Sequence, residues 1–110
     1  MPRTPTTTDA FNAIAEAARR NLLDALADGE ATVNDLVARA GMTQPQVSKH
    51  LGVLREVGLV RVRIDGRHRW YRIYGPALLP IHEWVQRYEH TWNQRLDRLD
   101  DLVTTMEDTQ

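Results

Sequence analysis

Residues 32–73 of this 110-residue chain read TVNDLVARAGMTQPQVSKHLGVLREVGLVRVRIDGRHRWYRI. The segment contains two start signals for helices, because Thr32 is followed three residues later by Asp35, and Thr43 by Gln46. Apolar residues recur at helical spacing after each signal, and a glycine closes each run. We therefore expect two short helices joined by a tight turn.

A β-hairpin is expected directly after the second helix. Apolar and basic residues alternate over residues 59–64, and Asp65-Gly66 is typical of a type I′ turn between two strands. The returning strand is expected over residues 67–73. Helix, turn, helix and hairpin in this order indicate a winged helix–turn–helix, a mainly α fold with a small β-hairpin that binds duplex DNA.

Helices are also expected on both sides of this segment. Asp9 is a candidate N-cap for a first helix that runs to about Arg19, and a second short helix is expected over residues 21–27, with the position of the break left open. After Gly75-Pro76, one long helix is expected from about Leu79 to Met106.

The composition indicates a single folded domain. The hydrophobic content of 42% is typical of a globular protein, and the absence of cysteine excludes disulfides and fits a reducing compartment. No apolar run reaches the roughly 18 residues of a membrane span, so we expect a cytoplasmic, nucleoid-associated protein. The expected organisation is a flexible tail over residues 1–8, a winged-helix DNA-binding and dimerisation domain over 9–106, and an acidic tail over 107–110.

The charge distribution favours a nucleic-acid partner although the net charge is −1. Residues 39–72 contain eight basic and two acidic side chains, a local charge of +6. The C-terminal end is acidic instead. The local charge sets the field that a phosphate backbone meets, so a double-stranded DNA operator is the expected partner.

The second helix of the pair and the hairpin tip carry the side chains that could read DNA. Glutamine pairs bidentately with adenine, lysine reaches guanine or phosphate, and arginine on a protruding turn contacts phosphates or enters a minor groove. The alternatives are a solvated polar helix face and charged strands that prevent edge-to-edge aggregation. The candidate DNA-binding residues are Thr43, Gln44, Gln46, Ser48, Lys49, Arg63, Arg67, His68 and Arg69. His50, beside them, is expected to be a hydrogen-bonded core histidine.

The long last helix has an apolar stripe with steps close to 3.5 residues, which is typical of a helix packed along a partner. The stripe could cover the domain's own core, but a small winged domain cannot bury so long a helix, so we expect a homodimer formed through the first and last helices. The candidate interface residues are Phe11, Ile14, Ile81, Trp84, Val85, Tyr88, Trp92 and Leu99.

The segment TQPQVSKHLGVLREVGLVRVRIDGRHRWYRI resembles the recognition helix and wing of the ArsR/SmtB family of bacterial winged-helix repressors, and the resemblance extends over about residues 9–103. It implies a dimeric repressor that binds a pseudo-palindromic operator. It also implies that Arg67 and Arg69 belong to the wing. The residues that it assigns to base reading are Gln44, Gln46, Ser48 and Lys49.

The chain departs from the metal-sensing members of that family. Thr32 and Asn34 stand where the metal-sensing motif E-L-C-V-C-D-L has its cysteines, so thiolate sensing has no ligands there. His82 and His90 on the last helix are about 12 Å apart, too far for one ion. The sequence resembles the cysteine-free, metal-independent branch, and we expect no metal and no cofactor. A metal site between subunits, with His82 and a partner's Glu83 or Glu89, stays open as an alternative.

Two further function classes have less support in the sequence. A winged fold could bind an acidic protein partner through its basic face. An enzyme is not expected, because Ser48 and His50 point about 200° apart on a helix and no phosphate loop or nucleophile motif is present. The signal that releases the DNA, a small ligand or a partner protein, is not encoded in any motif.

Overall fold

The computed structural model describes residues 9–108. The expected flexible tail at residues 1–8 and the last two residues of the expected acidic tail lie outside this range. The chain divides into two compact units: residues 9–79, which we call the winged unit, and residues 80–108, which belong to the long last helix.

The first two helices are α1, Ala10–Ile14, and α2, Ala17–Leu26. Asp9 is the N-cap of α1, as predicted, and its carboxylate accepts the N–H of Asn12 at 2.8 Å. The predicted extent of α1 to about Arg19 is wrong, because the backbone is extended at Glu16, with φ −90° and ψ 131°.

Two arginine side chains hold the break between α1 and α2. Arg19 and Arg20 together donate hydrogen bonds to four consecutive carbonyl oxygens, those of residues 12–15. The last carbonyls of a helix have no partner within it. The two guanidinium groups satisfy them, so α1 can end early. Arg19 is itself buried, with 7% of its surface exposed.

The central pair of helices is α3, Val33–Ala40, and α4, Gln44–Glu56. Both begin with the predicted capping boxes: the N-cap threonine hydroxyl accepts the N–H of the third helical residue, whose side chain accepts the N–H of the threonine. Gly41 ends α3 in the left-handed conformation, with φ 65°, and turns the chain into α4.

The predicted hairpin consists of β1, Val60–Asp65, and β2, His68–Ile73, paired antiparallel. The predicted type I′ turn at Asp65-Gly66 is wrong. Asp65 pairs with His68, so the two central turn residues are Gly66 and Arg67. Only Gly66 has a positive φ, 61°, as a type II′ turn requires, whereas type I′ needs a positive φ at both positions.

The strand β2 has a second neighbour on its other edge. The N–H and carbonyl groups of Ala31 exchange hydrogen bonds of 2.9 and 2.8 Å with those of Tyr71. This pairing fixes the start of α3, which follows Ala31 directly, beside the hairpin.

The core of the winged unit lies between α2, α3, α4 and the hairpin. Its members are the apolar residues that recur at helical or strand spacing, and they are almost fully removed from water. Those with the largest fully buried side chains are Leu22, Leu36, Val47, Leu54, Leu59 and Val60.

After β2, a single 3₁₀ turn at Gly75–Leu78 leads into α5, Leu79–Asp108. This helix starts where it was predicted to start and runs two residues beyond the predicted end. Among residues 9–108, no helix combines the length and the apolar character that a bilayer crossing requires.

Candidate nucleic-acid interface

The helix α4 separates apolar from polar side chains, as the sequence predicted. Val47, Leu51 and Leu54 are buried against the core. The predicted reading residues are exposed in the N-terminal half of the helix and are Gln44, Gln46, Ser48 and Lys49. Gln44 and Ser48 are four residues apart, so they lie on one line along the helix.

The two glutamines of this face differ in whether their side chains already form a hydrogen bond within the chain. Gln46 accepts the backbone N–H of Thr43 through Oε1 at 3.0 Å, so its carbonyl oxygen closes the capping box. Bidentate pairing with adenine needs that same oxygen. The side chain of Gln44 makes no hydrogen bond to any residue between 9 and 108, so the carbonyl oxygen and the NH₂ group of its amide can both face a ligand.

A cleft of about 240 Å³ lies where the starts of α3 and α4 meet the hairpin tip. We call it the wing cleft. The pairing of Ala31 with Tyr71 brings the first turn of α3 to this place. The residues that line the cleft are Thr32, Val33, Asn34, Gln44, Arg67, His68 and Arg69. Four of them belong to the predicted DNA-binding set, and Asn34 does not.

The arginines of the hairpin fall into two groups. Arg63 donates two hydrogen bonds to the Glu30 carboxylate, at 2.6 and 3.3 Å, and lies 3.6 Å from Asp65. This partnership lowers the pKa of Glu30 and raises that of Arg63. Within the described part of the chain, Arg67 and Arg69 form no ion pair.

The base of the hairpin also holds Arg61 in place. Its guanidinium carbon lies 3.4 Å from the centre of the Tyr74 ring, a cation–π contact. Arg61 and Arg63 are therefore engaged within the chain, whereas Arg67 and Arg69 at the tip are exposed.

His50 is buried in α4, as predicted, but it is not satisfied. Its Nδ1 lies 3.8 Å from Oε2 of Glu16, beyond hydrogen-bond distance, and has no hydrogen-bond partner among the described residues. The expectation of a hydrogen-bonded core histidine is wrong for this nitrogen, because the Glu16 carboxylate lies too far from it for a hydrogen bond.

The apolar stripe of α5 is exposed. Trp92 has 60% of its surface exposed and Leu99 57%. Trp84 and Tyr88 form an edge-to-face pair with ring centres 5.4 Å apart, and a groove of about 260 Å³ runs along this side of the helix. The other predicted interface residues are partly or largely exposed as well: Phe11, Ile14, Ile81 and Val85.

The two histidines of α5, His82 and His90, are candidate metal ligands. His82 is exposed, and Nε2 of His90 lies 3.1 Å from Nε2 of Gln94. Over residues 9–108, no three histidine, aspartate or glutamate side chains lie close enough together to hold a metal ion. The independence of metal stays a prediction, since a shared site would draw on two subunits.

Comparison with known proteins places this geometry in a family. Residues 17–62 match the family described as "Bacterial regulatory protein, arsR family". The curated relative KmtR of Mycobacterium tuberculosis, an HTH-type transcriptional regulator, is 43% identical over 59% of this chain and 50% of its own length. The chain thus spans about half the length of this relative.

Solved structures agree with that match over a larger region. A possible transcriptional regulator for arsenical resistance is 40% identical, with a TM-score of 0.65 over 83% of this chain and 92% of that one. The homodimeric winged helix–turn–helix DNA-binding domain Mb0332 of Mycobacterium bovis, described as a possible ArsR-family regulator, is 35% identical, with a TM-score of 0.59 over 74% and 77%. This protein is a winged helix–turn–helix chain that belongs to the ArsR family of bacterial regulatory proteins.

Proposed function

We propose that this chain is a homodimeric, sequence-specific transcriptional repressor that binds a pseudo-palindromic DNA operator and needs no metal to do so. The observation that carries the proposal is the wing cleft, where the exposed start of α4 and the exposed Arg67 and Arg69 of the hairpin tip face the same space. An enzymatic role has no support in the family or in its named relatives, which are transcriptional regulators.

The two parts of this surface suit the two tasks of DNA recognition. The N-terminal half of α4 presents glutamine, serine and lysine, which can bond to base edges in a major groove. Arg67 and Arg69 can neutralise phosphates, which contributes affinity without sequence preference. Arg63 is a weaker candidate for phosphate binding, because a DNA phosphate would have to displace the Glu30 carboxylate from its guanidinium group.

A second subunit is the proposed partner of α5. The exposed stripe contains two tryptophans and a tyrosine, residues that are enriched in protein interfaces. The similar domain Mb0332 is described as homodimeric. A two-fold dimer would present two copies of α4 to two half-sites about 34 Å apart, and operator binding would then occlude a promoter.

The proposed function is tested by DNA binding measured as fluorescence anisotropy over a range of salt concentrations. We expect the wild type to bind random duplex weakly at low salt and a selected operator tightly. Arg67→Ala should weaken binding to every duplex and make the dependence of log K on log salt shallower by about 0.9 per wing, because one phosphate contact is lost.

Arg98→Ala is the matched control, since it removes the same charge from an exposed position on α5. We expect the salt dependence of this variant to equal that of the wild type. A wild-type protein that binds no duplex at low salt would refute the proposal and favour a module that binds an acidic protein. Operator binding that persists unchanged in chelator would support the metal-independent branch.

A further inference from the structure

Three residues that line the wing cleft belong to neither the reading helix nor the wing, and of Thr32, Val33 and Asn34 only Asn34 is exposed. Asn34 lies on the first turn of α3, is exposed, and lines the cleft together with Gln44 and Arg67. In the chain it is 33 residues from Arg67. The two are neighbours because Ala31 pairs with β2.

Several of the polar groups that converge on the cleft can donate hydrogen bonds. Arg67 and Arg69 bring guanidinium N–H groups, and Asn34 and Gln44 bring side-chain amides. Within residues 9–108 these two amides make no hydrogen bond, so their donors are available. No carboxylate lines the cleft.

The capping box of α3 occupies two backbone N–H groups at the start of that helix, because the Thr32 hydroxyl accepts the N–H of Asp35, and the Asp35 carboxylate accepts the N–H of Thr32. The side chains that line the cleft make it cationic at the hairpin tip and rich in amide groups at the helix starts. Such a donor set matches the oxygens of a phosphate.

We infer that the wing cleft holds one backbone phosphate of the bound DNA in each half-site, with Asn34 as a ligand alongside Arg67 and Arg69. The inference rests on the proposed function and adds a third element, α3, to the contact surface. Because Gln44 lines the same cleft, the phosphate would lie next to the base that the start of α4 reads. A phosphate contact at this point would fix the register of α4 on the duplex.

Asn34→Asp tests the inference without harm to the fold. An acidic residue in the first turn of a helix is favourable for helix stability, so α3 should not unfold. The carboxylate would repel a phosphate in the cleft, and we expect binding to every duplex to weaken about tenfold. Asn21→Asp is the matched control, since it makes the same change at an exposed position on α2, outside the cleft, and its affinity should stay within about twofold of the wild type.

The phosphate itself is identified by operator duplexes in which one phosphate at a time is replaced by a neutral methylphosphonate. Among the positions that weaken binding of the wild type, we expect one per half-site to weaken binding of Asn34→Asp less, because the neutral group also removes the repulsion by the carboxylate. If the wild type binds DNA and Asn34→Asp behaves like Asn21→Asp, the inference is overturned while the proposed function stands. If the wild type binds no duplex, both fail.

A third arm separates the DNA phosphate from a free one. Inorganic phosphate is compared with chloride at matched ionic strength as a competitor of the operator. Equal competition, together with a methylphosphonate position coupled to Asn34, supports the inference. Stronger competition by phosphate, with no position coupled to Asn34, would assign the cleft to a free anion and overturn it.

Discussion

In the winged unit, Leu22, Leu36 and Leu54 are completely buried, whereas in α5 Trp92 and Leu99 keep more than half of their surface exposed. Both regions have apolar residues at helical spacing, so the pattern of the sequence does not separate them. The winged unit folds several elements around its apolar face. The stripe of α5 runs along one helix, which cannot cover itself. An exposed stripe of this length is typical of an association surface.

The largest expected effect comes from a charge placed in that stripe. In a two-fold dimer, Trp92→Glu buries one carboxylate in each subunit, so the free-energy penalty of burying the charge applies twice. We expect the dimer dissociation constant to rise about a thousandfold. Sedimentation equilibrium measures it. The control Gln86→Glu adds the same charge about 120° around the helix from Trp92 and should leave the constant nearly unchanged. An equal loss in both variants would contradict an interface through the stripe.

The second prediction compares the two regions in one assay. Leu54→Ala should lower the free energy of unfolding by about 3 kcal/mol, because it leaves a cavity in the core. Leu99→Ala should change it by less than about 0.5 kcal/mol when both are made in the Trp92→Glu background, which removes the contribution of the dimer. Urea unfolding followed by circular dichroism gives both values. A large loss from Leu99→Ala in that background would mean that α5 is buried within a single chain.

The smallest expected effect is a dependence of stability on pH that arises in the winged unit. The Thr32 backbone N–H, which donates a hydrogen bond to the Asp35 carboxylate, and to a smaller extent the Thr32 side chain hold the pKa of Asp35 below its ordinary value of 3.8. A lowered pKa in the folded state means that this stabilisation is present above the unfolded-state pKa and is lost as the pH falls through the folded one.

We therefore expect unfolding free energies between about pH 6 and about pH 2 to fall less steeply for Asp35→Asn than for the wild type. Thr32→Ala removes the hydroxyl but keeps the backbone N–H, which is the larger cause of the lowered pKa. The slope of its unfolding free energy against pH should lie between those of the wild type and Asp35→Asn. Identical slopes for all three proteins would show that the capping box of α3 does not couple stability to pH.

The sequence patterns correctly predicted the helix starts and ends that depend on residues a few positions apart. Both capping boxes join residues three apart, and the end of α3 depends on the positive φ of a single glycine, Gly41. A break between α1 and α2 was expected, but its position at residues 15–16 was not, because it depends on where the side chains of Arg19 and Arg20 fold back, which helical periodicity does not encode. The turn of the hairpin was misplaced by one residue because pairing along both strands set the register.

The candidate site was predicted in part for the same reason. The exposed start of α4 follows from the position of its buried stripe, so the sequence predicted which side chains of this helix are exposed. The spacing of residues does not predict which arginine of the hairpin is paired within the chain, because the partner of Arg63 is Glu30, 33 residues away in the sequence. The place of Asn34 beside the hairpin tip likewise depends on a pairing, Ala31 with Tyr71, that leaves no periodic signal.

The sequence by itself determined the order of helices and strands, their capped starts, and the apolar faces they must bury, because these depend on local hydrogen bonds and on hydrophobic spacing. The tertiary structure alone decided which cations of the hairpin are paired and which surround the wing cleft. Those outcomes depend on residues about 30 positions apart meeting across β2, and such meetings are fixed by the packing of the whole winged unit.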